Sequence, residues 1–473
     1  MSLLAANVRR WPGRRALVDG ERSWSWSALH AAATHTAGRL TRQLGVRPGD
    51  AVATLLENNA EHVILLHAIW LCGAVAVPLN TRLTDVERCK QLDIIKPVGL
   101  ITTTSFAGEA ASLESGFMKA EQGATDDGPD ERALCSVLFT SGSAGTLKAV
   151  PHSWGNHRAS AMGSAANLGV RDDDNWLCLI PLFHIGGLAI VTRSLLYGTA
   201  MTVRQGFDAV AVARELRERR VTLLSVVPTM LSRLMEAETT LSAATLPALR
   251  AVLLGGAAAS PALWEEAIRR GLPVLGTYGL TESCSQVVTA SPAEADAMAG
   301  TAGRPIGGAE LRIVCVDGRD CPEGTEGEIY LRGPMLTEGY LGVEGREDFT
   351  DGWFRTRDIG FIDARGCLHV FGRADDMILT GGENVFPTEI EDVLLRYPGV
   401  TDAAVAGVAD AEWGARVGAL LVLDGDEDLV AIERWCRQEL AGYKIPRLWR
   451  RVREIPRTAS GKIIRAEVRR LLE

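Results

Sequence analysis

A segment rich in glycine and hydroxyl side chains, residues 138–148, carries the clearest potential for chemistry in this sequence. It reads Leu-Phe-Thr-Ser-Gly-Ser-Ala-Gly-Thr-Leu-Lys and follows an apolar stretch that predicts the end of a buried strand. Glycine lets backbone N–H groups turn toward an anion, hydroxyl groups add neutral donors, and lysine adds positive charge. The segment therefore indicates a cradle for nucleotide phosphates, although an ordinary surface loop would use the same residue types.

The spacing within this segment excludes the Walker A loop of P-loop NTPases. That motif has four residues between its glycines and a lysine directly after the second glycine. Here two residues separate Gly142 from Gly145, and Lys148 stands three positions beyond Gly145. Nucleotide phosphates remain the expected ligand, held by a different kind of loop.

A second candidate segment, residues 276–282, reads Gly-Thr-Tyr-Gly-Leu-Thr-Glu and ends a predicted parallel strand. Open α/β sheets bind ligands at the carboxyl ends of such strands. Tyr278 could cover a base, Thr281 could bond a phosphate, and Glu282 could hold a magnesium ion that bridges phosphate oxygens. A strand–turn–helix junction that binds nothing would use the same residues.

Three other segments carry reactive or unusual residues, each with a simpler interpretation beside it. Asp358, within residues 352–360, has the acidic side chain that commonly binds ribose hydroxyls, although an isolated aspartate is more often a turn residue. The pair Gly381-Gly382 indicates either close backbone approach or an ordinary turn. Lys462 is presented by a glycine-containing segment, residues 456–465, whose charge pattern alone favours a solvated tail.

Length and composition limit the class of protein. A chain of 473 residues is too long for one core, which predicts two or more domains. The formal net charge of −9 argues against a general nucleic-acid binder. Nine scattered cysteines without a C-x-x-C pair predict reduced core thiols in a cytosolic protein and argue against zinc. We expect neither a signal peptide nor a membrane span, which would need about 18 apolar residues.

The elements that must position these segments alternate along the chain. Strands and helices alternate from residue 49 to residue 278, which predicts an α/β fold with doubly wound sheets. Short alternating strands between residues 310 and 371 predict a small β subdomain. A compact α+β pattern follows Arg373, and the polar segment 372–376 between the two regions resembles a hinge more than a flexible tether.

The joint occurrence of these segments, in this order and at these distances, resembles the acyl-adenylate-forming (AMP-binding) superfamily. That superfamily includes acyl- and aryl-CoA synthetases, luciferases and stand-alone adenylation domains. The resemblance extends from about Arg15 to Arg465. It implies a large N-terminal domain over residues 1–372, a hinge over 373–376 and a small mobile C-terminal domain over 377–473, with the active site between the domains.

The resemblance also implies roles for individual residues. ATP phosphates would be held by Thr140, Ser141, Gly142, Ser143, Thr146 and Lys148, adenine would be flanked by Gly255, Gly256, Ala257 and Tyr278, and ribose would be bound by Asp358 and Arg373. Thr281 would contact the α-phosphate, Glu282 would bind magnesium, and Lys462 would bridge the substrate carboxylate and the α-phosphate. Asp375 would be the hinge residue, and Gly381-Gly382 would line a tunnel for pantetheine.

The implied reaction uses ATP, Mg²⁺ and CoA. A carboxylate attacks the α-phosphate to give an acyl-AMP and pyrophosphate, and the thiol of CoA then displaces AMP. No protein nucleophile is needed, so the absence of a G-x-S-x-G segment is consistent with this chemistry. The phosphate segment departs from the usual pattern at Ala144, Leu147 and Ala149, where the superfamily commonly has Thr, Pro and Gly.

Within the superfamily, residues 181–188, 253–257 and 278–286 resemble the o-succinylbenzoate–CoA ligases of menaquinone biosynthesis. Their substrate has two carboxylates, of which one is activated and the other needs a cationic partner. Arg193, nine residues after His184 on a predicted helix, is the candidate cation, although a surface arginine would also fit there. His184 would gate the pocket and orient the substrate during catalysis. The remaining candidates for the pocket lining are Ser225, Thr277, Ser283 and Ser285.

Other functions stay open at this point. A synthetase for fatty or benzoic acids would share the same segments, and so would an adenylation enzyme that loads a carrier protein. Outside enzymes, the alternative is a non-catalytic nucleotide-binding relative, against which the joint presence of Glu282, Asp358, Arg373 and Lys462 argues. We expect a cytoplasmic enzyme with a small carboxylic acid as substrate, and the sequence leaves homo-oligomerisation open.

Overall fold

The computed structural model of the chain describes residues 2–102, 129–141, 147–257, 259–342, 348–410, 413–425, 428–458 and 461–473. Its α-helices are α1 (Leu3–Arg10), α2 (Trp26–Leu44), α3 (Ala60–Leu71), α4 (Asp85–Ile95), α5 (Trp154–Leu168), α6 (Ile185–Tyr197), α7 (Ala209–Glu218), α8 (Pro228–Ala237), α9 (Pro261–Arg269), α10 (Pro387–Leu395), α11 (Leu429–Glu439) and α12 (Arg465–Leu472). Short 3₁₀ turns cover Pro292–Glu294, Ala374–Asp376 and Gly442–Lys444.

The strands fall into two sets along the chain. The first set is β1 (Arg15–Asp19), β2 (Arg22–Ser25), β3 (Ala51–Leu55), β4 (Val75–Pro78), β5 (Gly99–Thr102), β6 (Leu134–Ser141), β7 (Leu147–Ser153), β8 (Asn175–Cys178), β9 (Ala200–Val203), β10 (Leu223–Val226), β11 (Ala251–Gly255), β12 (Val274–Leu280), β13 (Ser285–Thr289) and β14 (Arg304–Pro305). The second set is β15 (Glu310–Val314), β16 (Gly327–Arg332), β17 (Phe349–Thr350), β18 (Trp353–Ile362), β19 (Leu368–Arg373), β20 (Ile378–Thr380), β21 (Glu383–Val385), β22 (Val400–Asp410), β23 (Gly414–Leu423) and β24 (Leu448–Arg451).

Two large sheets built on parallel strands confirm the predicted α/β fold. One sheet has the order β5-β3-β4-β6-β7, in which only β7 is antiparallel to its neighbour. The other has the order β14-β13-β12-β11-β10-β8-β9-β1-β2, with a parallel centre and antiparallel ends. The hairpin of β1 and β2 joins the second sheet, where β1 pairs in parallel with β9.

One apolar core connects the two large sheets through helices α2, α3 and α6. It includes Leu17 of β1, Val52 of β3, Leu65 of α3 and Leu188 of α6. Most of α3 is buried, which explains why its sequence is apolar on nearly every side rather than on one face. This core fixes both sheets as one scaffold under the strand ends where the candidate site lies.

The helix after the phosphate segment begins at a capping box. The Ser153 hydroxyl accepts a hydrogen bond from the Asn156 backbone at 3.1 Å, and Asn156 Oδ1 accepts one from the Ser153 backbone at 2.9 Å. Such reciprocal bonds satisfy N–H groups that a helix start leaves unpaired. Neither β7 nor α5 was predicted from the sequence, although this cap marks where α5 begins.

The small β subdomain is a five-stranded sheet in which β15, β16, β18 and β17 are neighbours and β19 pairs with β18. Two cysteines of this subdomain contradict the prediction that the cysteines are reduced core residues. Cys315 and Cys321 form a disulfide, with their Cα atoms 5.2 Å apart. The free cysteines that the structure describes include Cys89, which is exposed rather than in a core.

The C-terminal region forms its own sheet, with the order β22-β23-β24, and packs helices α10, α11 and α12 against it. Two apolar clusters are built from residues 378–472 alone. The alternative of a solvated tail over residues 456–465 is wrong, because Ile463 packs on one of these clusters. Among the helices that the structure describes, none is long and apolar enough to cross a membrane.

Candidate active site

The described part of the phosphate segment is the end of strand β6 and the start of strand β7. Thr140 near the end of β6 pairs with Lys148 near the start of β7, so the two residues lie side by side. Gly142, Ser143 and Thr146 lie outside the described residues. Backbone pairing alone is described for Ser141, whose partner is Leu147.

Lys148 is held by an acidic and an aromatic residue from a distant part of the chain. Its Nζ lies 2.8 Å from Asp348 Oδ2 and 4.3 Å from the centre of the Tyr340 ring. Tyr340 in turn donates a 2.9 Å hydrogen bond to Glu282 Oε1. Lys148, predicted for phosphate, and Glu282, predicted for magnesium, are therefore linked through one tyrosine.

The candidates for the nucleoside meet at the end of β12. Tyr278 Oη donates a hydrogen bond to Asp358 Oδ2 at 2.5 Å, and Arg373 Nε lies 3.1 Å from Asp358 Oδ1. Burial, reinforced by Asp358, raises the pKa of Tyr278 well above its usual value, so the phenol stays protonated and donates. Burial also raises the pKa of Asp358, against the opposing charge of Arg373.

The backbone around the predicted adenine site is tightly packed. A Cβ at Gly255, the last residue of β11, would lie 2.5 Å from the Thr277 carbonyl oxygen, so only glycine fits beside β12. Gly256 follows with φ +81°, and Ala257 is exposed beside it. The Thr277 hydroxyl lies 2.9 Å from the Thr289 hydroxyl, which places it within the sheet contacts.

Buried side chains form hydrogen bonds with the backbone of the turn that carries Thr281 and Glu282. His152 Nε2 lies 2.7 Å from the Thr281 carbonyl oxygen, and Ser283 Oγ accepts from the Leu280 backbone at 2.9 Å. Ser283 is fully buried and its hydroxyl also donates to the Ser285 carbonyl at 2.8 Å. Ser283 thus stabilises its own turn, and the expectation that it lines the acid pocket has no support in this geometry.

Arg193 is a buried cation on α6, which rules out the surface-arginine alternative. It is 2% exposed, its guanidinium carbon lies 5.4 Å from the Trp176 ring centre, and Nη2 donates to Ser160 Oγ at 3.1 Å. Its Nε has no hydrogen-bond partner, and no described carboxylate lies within ion-pair distance of it. Burial lowers the pKa of the guanidinium. Ser225 accepts from Trp176 Nε1 at 3.0 Å, so it is linked to this cation through the tryptophan.

Lys462 reaches the same region from the C-terminal unit. The preceding Gly461 lies so close to β10 and α8 that a Cβ there would meet Val227 at 3.0 Å and Thr229 at 3.2 Å. Lys462 keeps solvent-exposed surface, but protein groups packed near its ammonium reduce its hydration. This loss of hydration and the charge of Arg373 lower the pKa of Lys462, while Asp358 and Glu282 oppose the shift.

His184 stands at the start of α6, at the side of the cleft near Lys462. Burial, with the charges of Lys462 and Arg82, lowers the pKa of His184 to about 4, so its imidazole is neutral at pH 7. Its Nε2 is buried and has no hydrogen-bond partner among the residues described. A buried nitrogen without a partner is costly, which is consistent with a ligand atom completing its contacts.

The predicted hinge and tunnel residues lie in two turns after β19. Asp375 is exposed in the 3₁₀ turn Ala374–Asp376. Gly381 and Gly382 form the turn between β20 and β21, with φ of +59° and +86°. A Cβ at Gly381 would lie 2.8 Å from the Trp413 ring, so the backbone of this turn closely approaches another segment, and both functional roles stay predictions.

Several residues of the site were not identified from the sequence. They are His152, Ser160, Trp176, Tyr340 and Asp348, each of which contacts a predicted residue directly or through one side chain. His152 stands just beyond the phosphate segment and could have been noticed there. The others carried no local signal, because their partners lie far along the chain.

Comparison with known proteins agrees with this geometry. The sequence matches the AMP-binding enzyme family over residues 4–341 and the AMP-binding enzyme C-terminal domain over residues 389–462. It is 39% identical to a 2-succinylbenzoate–CoA ligase from Bacillus cereus (strain Q1) over 470 residues, 98% of this chain and 96% of the relative.

Two solved structures of o-succinylbenzoate CoA synthetase from Bacillus subtilis have the same fold. The one in complex with the acyl-adenylate intermediate OSB-AMP superposes with a TM-score of 0.89 at 35% identity, covering 99% of this chain and 97% of the other. The one in complex with ATP and a magnesium ion gives 0.87 at 34% identity, covering 98% of each chain. Similarity therefore extends over both the large and the small unit.

Proposed function

The chain belongs to the AMP-binding enzyme family, and from this premise we propose that it is an ATP-dependent 2-succinylbenzoate–CoA ligase of menaquinone biosynthesis. One observation supports the proposal: the residue before Lys462 in the C-terminal unit, Gly461, packs against Val227 and Thr229 of the large unit, at the carboxyl ends of the parallel strands β10, β11 and β12. Arg373, Asp358 and Glu282 are close enough to influence the pKa of Lys462, which is consistent with one shared cleft. Such a cleft brings together a nucleotide and an acid that must react.

ATP is bound along the strand ends. Tyr278 and Asp358 meet where adenine and ribose are expected, and Lys148 marks the phosphate end. Glu282 fits a magnesium ion, because it is a carboxylate linked to the phosphate lysine through Tyr340, and Tyr340 occupies only one of its oxygens. When bound, magnesium neutralises phosphate charge and favours departure of pyrophosphate.

The first step joins the acid to AMP. The substrate carboxylate attacks the α-phosphate, and negative charge builds up on the phosphate oxygens in the transition state. Lys462 approaches from the opposite side of the cleft and stabilises that charge while holding the carboxylate in line. The thiol of CoA then attacks the acyl carbon, the acyl–phosphate bond breaks, and AMP leaves with the electron pair.

The second carboxylate of the acid determines specificity in this proposal. Arg193 is a buried cation with an unpartnered Nε and no carboxylate near it in the part of the chain that is described. A buried charge without a counter-ion is expensive, so a ligand carboxylate would relieve that cost on binding. A fatty acid would leave Arg193 unpaired, which disfavours the alternative of a fatty-acid synthetase.

We further propose that the large domain ends at residue 372, that residues 373–376 are the hinge, and that residues 377–473 move as one domain. The separate apolar clusters of residues 378–472 support this division. Asp375 in the exposed 3₁₀ turn is the hinge candidate, and Gly381-Gly382 the candidate tunnel lining. A cytoplasmic location fits an enzyme that uses ATP and CoA.

Pyrophosphate release tests the proposal. The purified protein would be assayed with ATP, Mg²⁺ and CoA against o-succinylbenzoate, benzoate, a medium-chain fatty acid and amino acids. Selective turnover of o-succinylbenzoate, with its CoA thioester identified by mass, is the expected result. Preference for another acid would overturn the substrate and keep the chemistry, whereas ATP binding without turnover of any acid would indicate a non-catalytic relative.

A further inference from the structure

A buried carboxylate, Asp348, lies between two cations at the phosphate end of the cleft. Its Oδ2 accepts from Lys148 Nζ at 2.8 Å, and its Oδ1 accepts from Arg357 Nε at 3.0 Å and Nη2 at 2.8 Å. The Asp348 side chain is 3% exposed, against 17% for Lys148 and 31% for Arg357. Both carboxylate oxygens are therefore used, one for each cation.

The backbone at Arg357 indicates that this arrangement is specific. Arg357 has φ +62°, a left-handed conformation that is unfavourable for a residue with a long side chain and that glycine would adopt freely. It directly precedes Asp358, the ribose candidate. The cost of this conformation is offset by a two-donor bond to Asp348, so the position carries a side chain whose contacts matter.

The charges explain why Asp348 stays ionised. Burial alone would raise its pKa, but the hydrogen bonds from Lys148 and Arg357 outweigh burial and hold the pKa of Asp348 below its ordinary value. Without the Asp348 carboxylate, no anion would separate Lys148 from Arg357, and the two cations would repel each other. Lys148 would then turn away from Tyr340, which lies 4.3 Å from it.

From this geometry we propose that Asp348 is a positioning residue for ATP binding, which, with Arg357 as its brace, holds Lys148 toward the β- and γ-phosphates. The inference rests on the proposed function, because it assigns the phosphates to Lys148. An ammonium has three donors, and Asp348 and the Tyr340 ring leave room for a phosphate oxygen. The carboxylate therefore orients the lysine and does not compete with the ligand.

Steady-state kinetics of Asp348→Asn test this directly. The variant keeps shape and one acceptor oxygen but removes the charge, so we expect KM for ATP to rise about tenfold, the size of a lost charged hydrogen bond. KM for the acid should change less than twofold. Arg357→Gly, which suits the positive φ, should raise KM for ATP by a smaller factor, because Lys148 keeps its own bond to Asp348.

A double-mutant cycle separates positioning from a general structural effect. If Asp348 acts through Lys148, adding Asp348→Asn to Lys148→Ala should raise KM for ATP no further. Asp174→Asn is the matched control: Asp174 is also 3% exposed and bound by an arginine, Arg250 at 2.6 Å, but it precedes β8, an inner strand of the other large sheet. It should lower thermal stability and leave KM for ATP unchanged.

The outcomes are distinguishable. An unchanged or lowered KM for ATP in Asp348→Asn overturns the inference, a lowered value indicating that the carboxylate competes with phosphate. Full additivity with Lys148→Ala overturns it as well. Absence of ligase activity in the wild-type protein would instead remove the proposed function, and ATP affinity of the same variants, measured by calorimetry, would still decide the role of Asp348.

Discussion

Tyr278 and Asp358, which lie 80 residues apart, are joined by a 2.5 Å hydrogen bond from the phenol to Oδ2 of the carboxylate. The bond connects the end of β12 in a large sheet to β18 in the β subdomain. Its two members are the candidates for adenine and ribose, so one contact sets the relative position of both halves of the nucleoside site. Arg373, at the start of the proposed hinge, forms an ion pair with Asp358 and completes this nucleoside site.

Removing this bond should weaken nucleotide binding. In Tyr278→Phe the ring remains over the base, but Asp358 loses one of its partners and is free to turn. We expect KM for ATP to rise about five- to tenfold with a smaller change in kcat, the loss typical of a hydrogen bond to a charged group. Initial-rate kinetics measure this. Tyr397→Phe, in the C-terminal core, is the control, and equal effects of both variants would contradict the assignment.

Lys462 should matter for only one half-reaction. Lys462→Ala removes the charge that stabilises the adenylation transition state, so acyl-AMP formation should fall by at least about 10²-fold. Thioester formation from supplied acyl-AMP should be nearly unchanged, because Lys462 is not needed once AMP is the leaving group. Lys444→Ala removes another lysine of this unit, which pairs with Glu389, and should spare both. Equal loss of both half-reactions for Lys462→Ala would refute the role.

Arg193 should distinguish acids by their second carboxylate. Arg193→Gln keeps hydrogen-bonding atoms but not the charge, and we expect KM for o-succinylbenzoate to rise at least about tenfold while KM for ATP stays constant. The matched comparison uses an analogue that lacks the second carboxylate. Wild type and variant should turn over that analogue equally well, and a loss that is the same for both acids would mean that Arg193 only supports the fold.

Buried histidines should make the fold sensitive to acid. Burial lowers the pKa of His62 and of His152 to about 4 and of His67 to about 3. In the unfolded chain these groups protonate near pH 6.5, so below that pH the unfolded state binds more protons and gains stability. The free energy of unfolding should thus fall from pH 6.5 toward pH 4, by up to about 1.4 kcal/mol per pH unit for each histidine.

Urea unfolding at several pH values measures this dependence. His67→Leu should flatten it, because the variant has one fewer group that protonates only on unfolding. His35→Gln changes an exposed histidine and should leave the slope as it is. A slope that His67→Leu leaves unaltered would contradict the burial argument.

The sequence predicts a feature when the residues that indicate it lie close together along the chain. Alternating elements predicted the α/β fold, and short segments drew attention to Tyr278, Asp358 and Lys462, because each lies in a short segment of unusual residue types. Asp348 had no such signal: its partner Lys148 is 200 residues away, and only the packing of β7 beside the β subdomain brings them together. Ser283 shows the opposite case: its hydroxyl bonds within its own turn, a local contact that the sequence did not reveal, and its place in the acid pocket stays a prediction.

The pairing of β1 with β9 has a consequence for synthesis on the ribosome. Asp19 ends β1 and Ala200 begins β9, so 180 residues lie between the two strands. At roughly 5–20 residues per second, the N-terminal hairpin emerges on the order of 10 to 40 seconds before its partner strand exists. During that interval β1 is paired only with β2, so the edge of β1 that later joins β9 stays open to other contacts long before the second sheet can close.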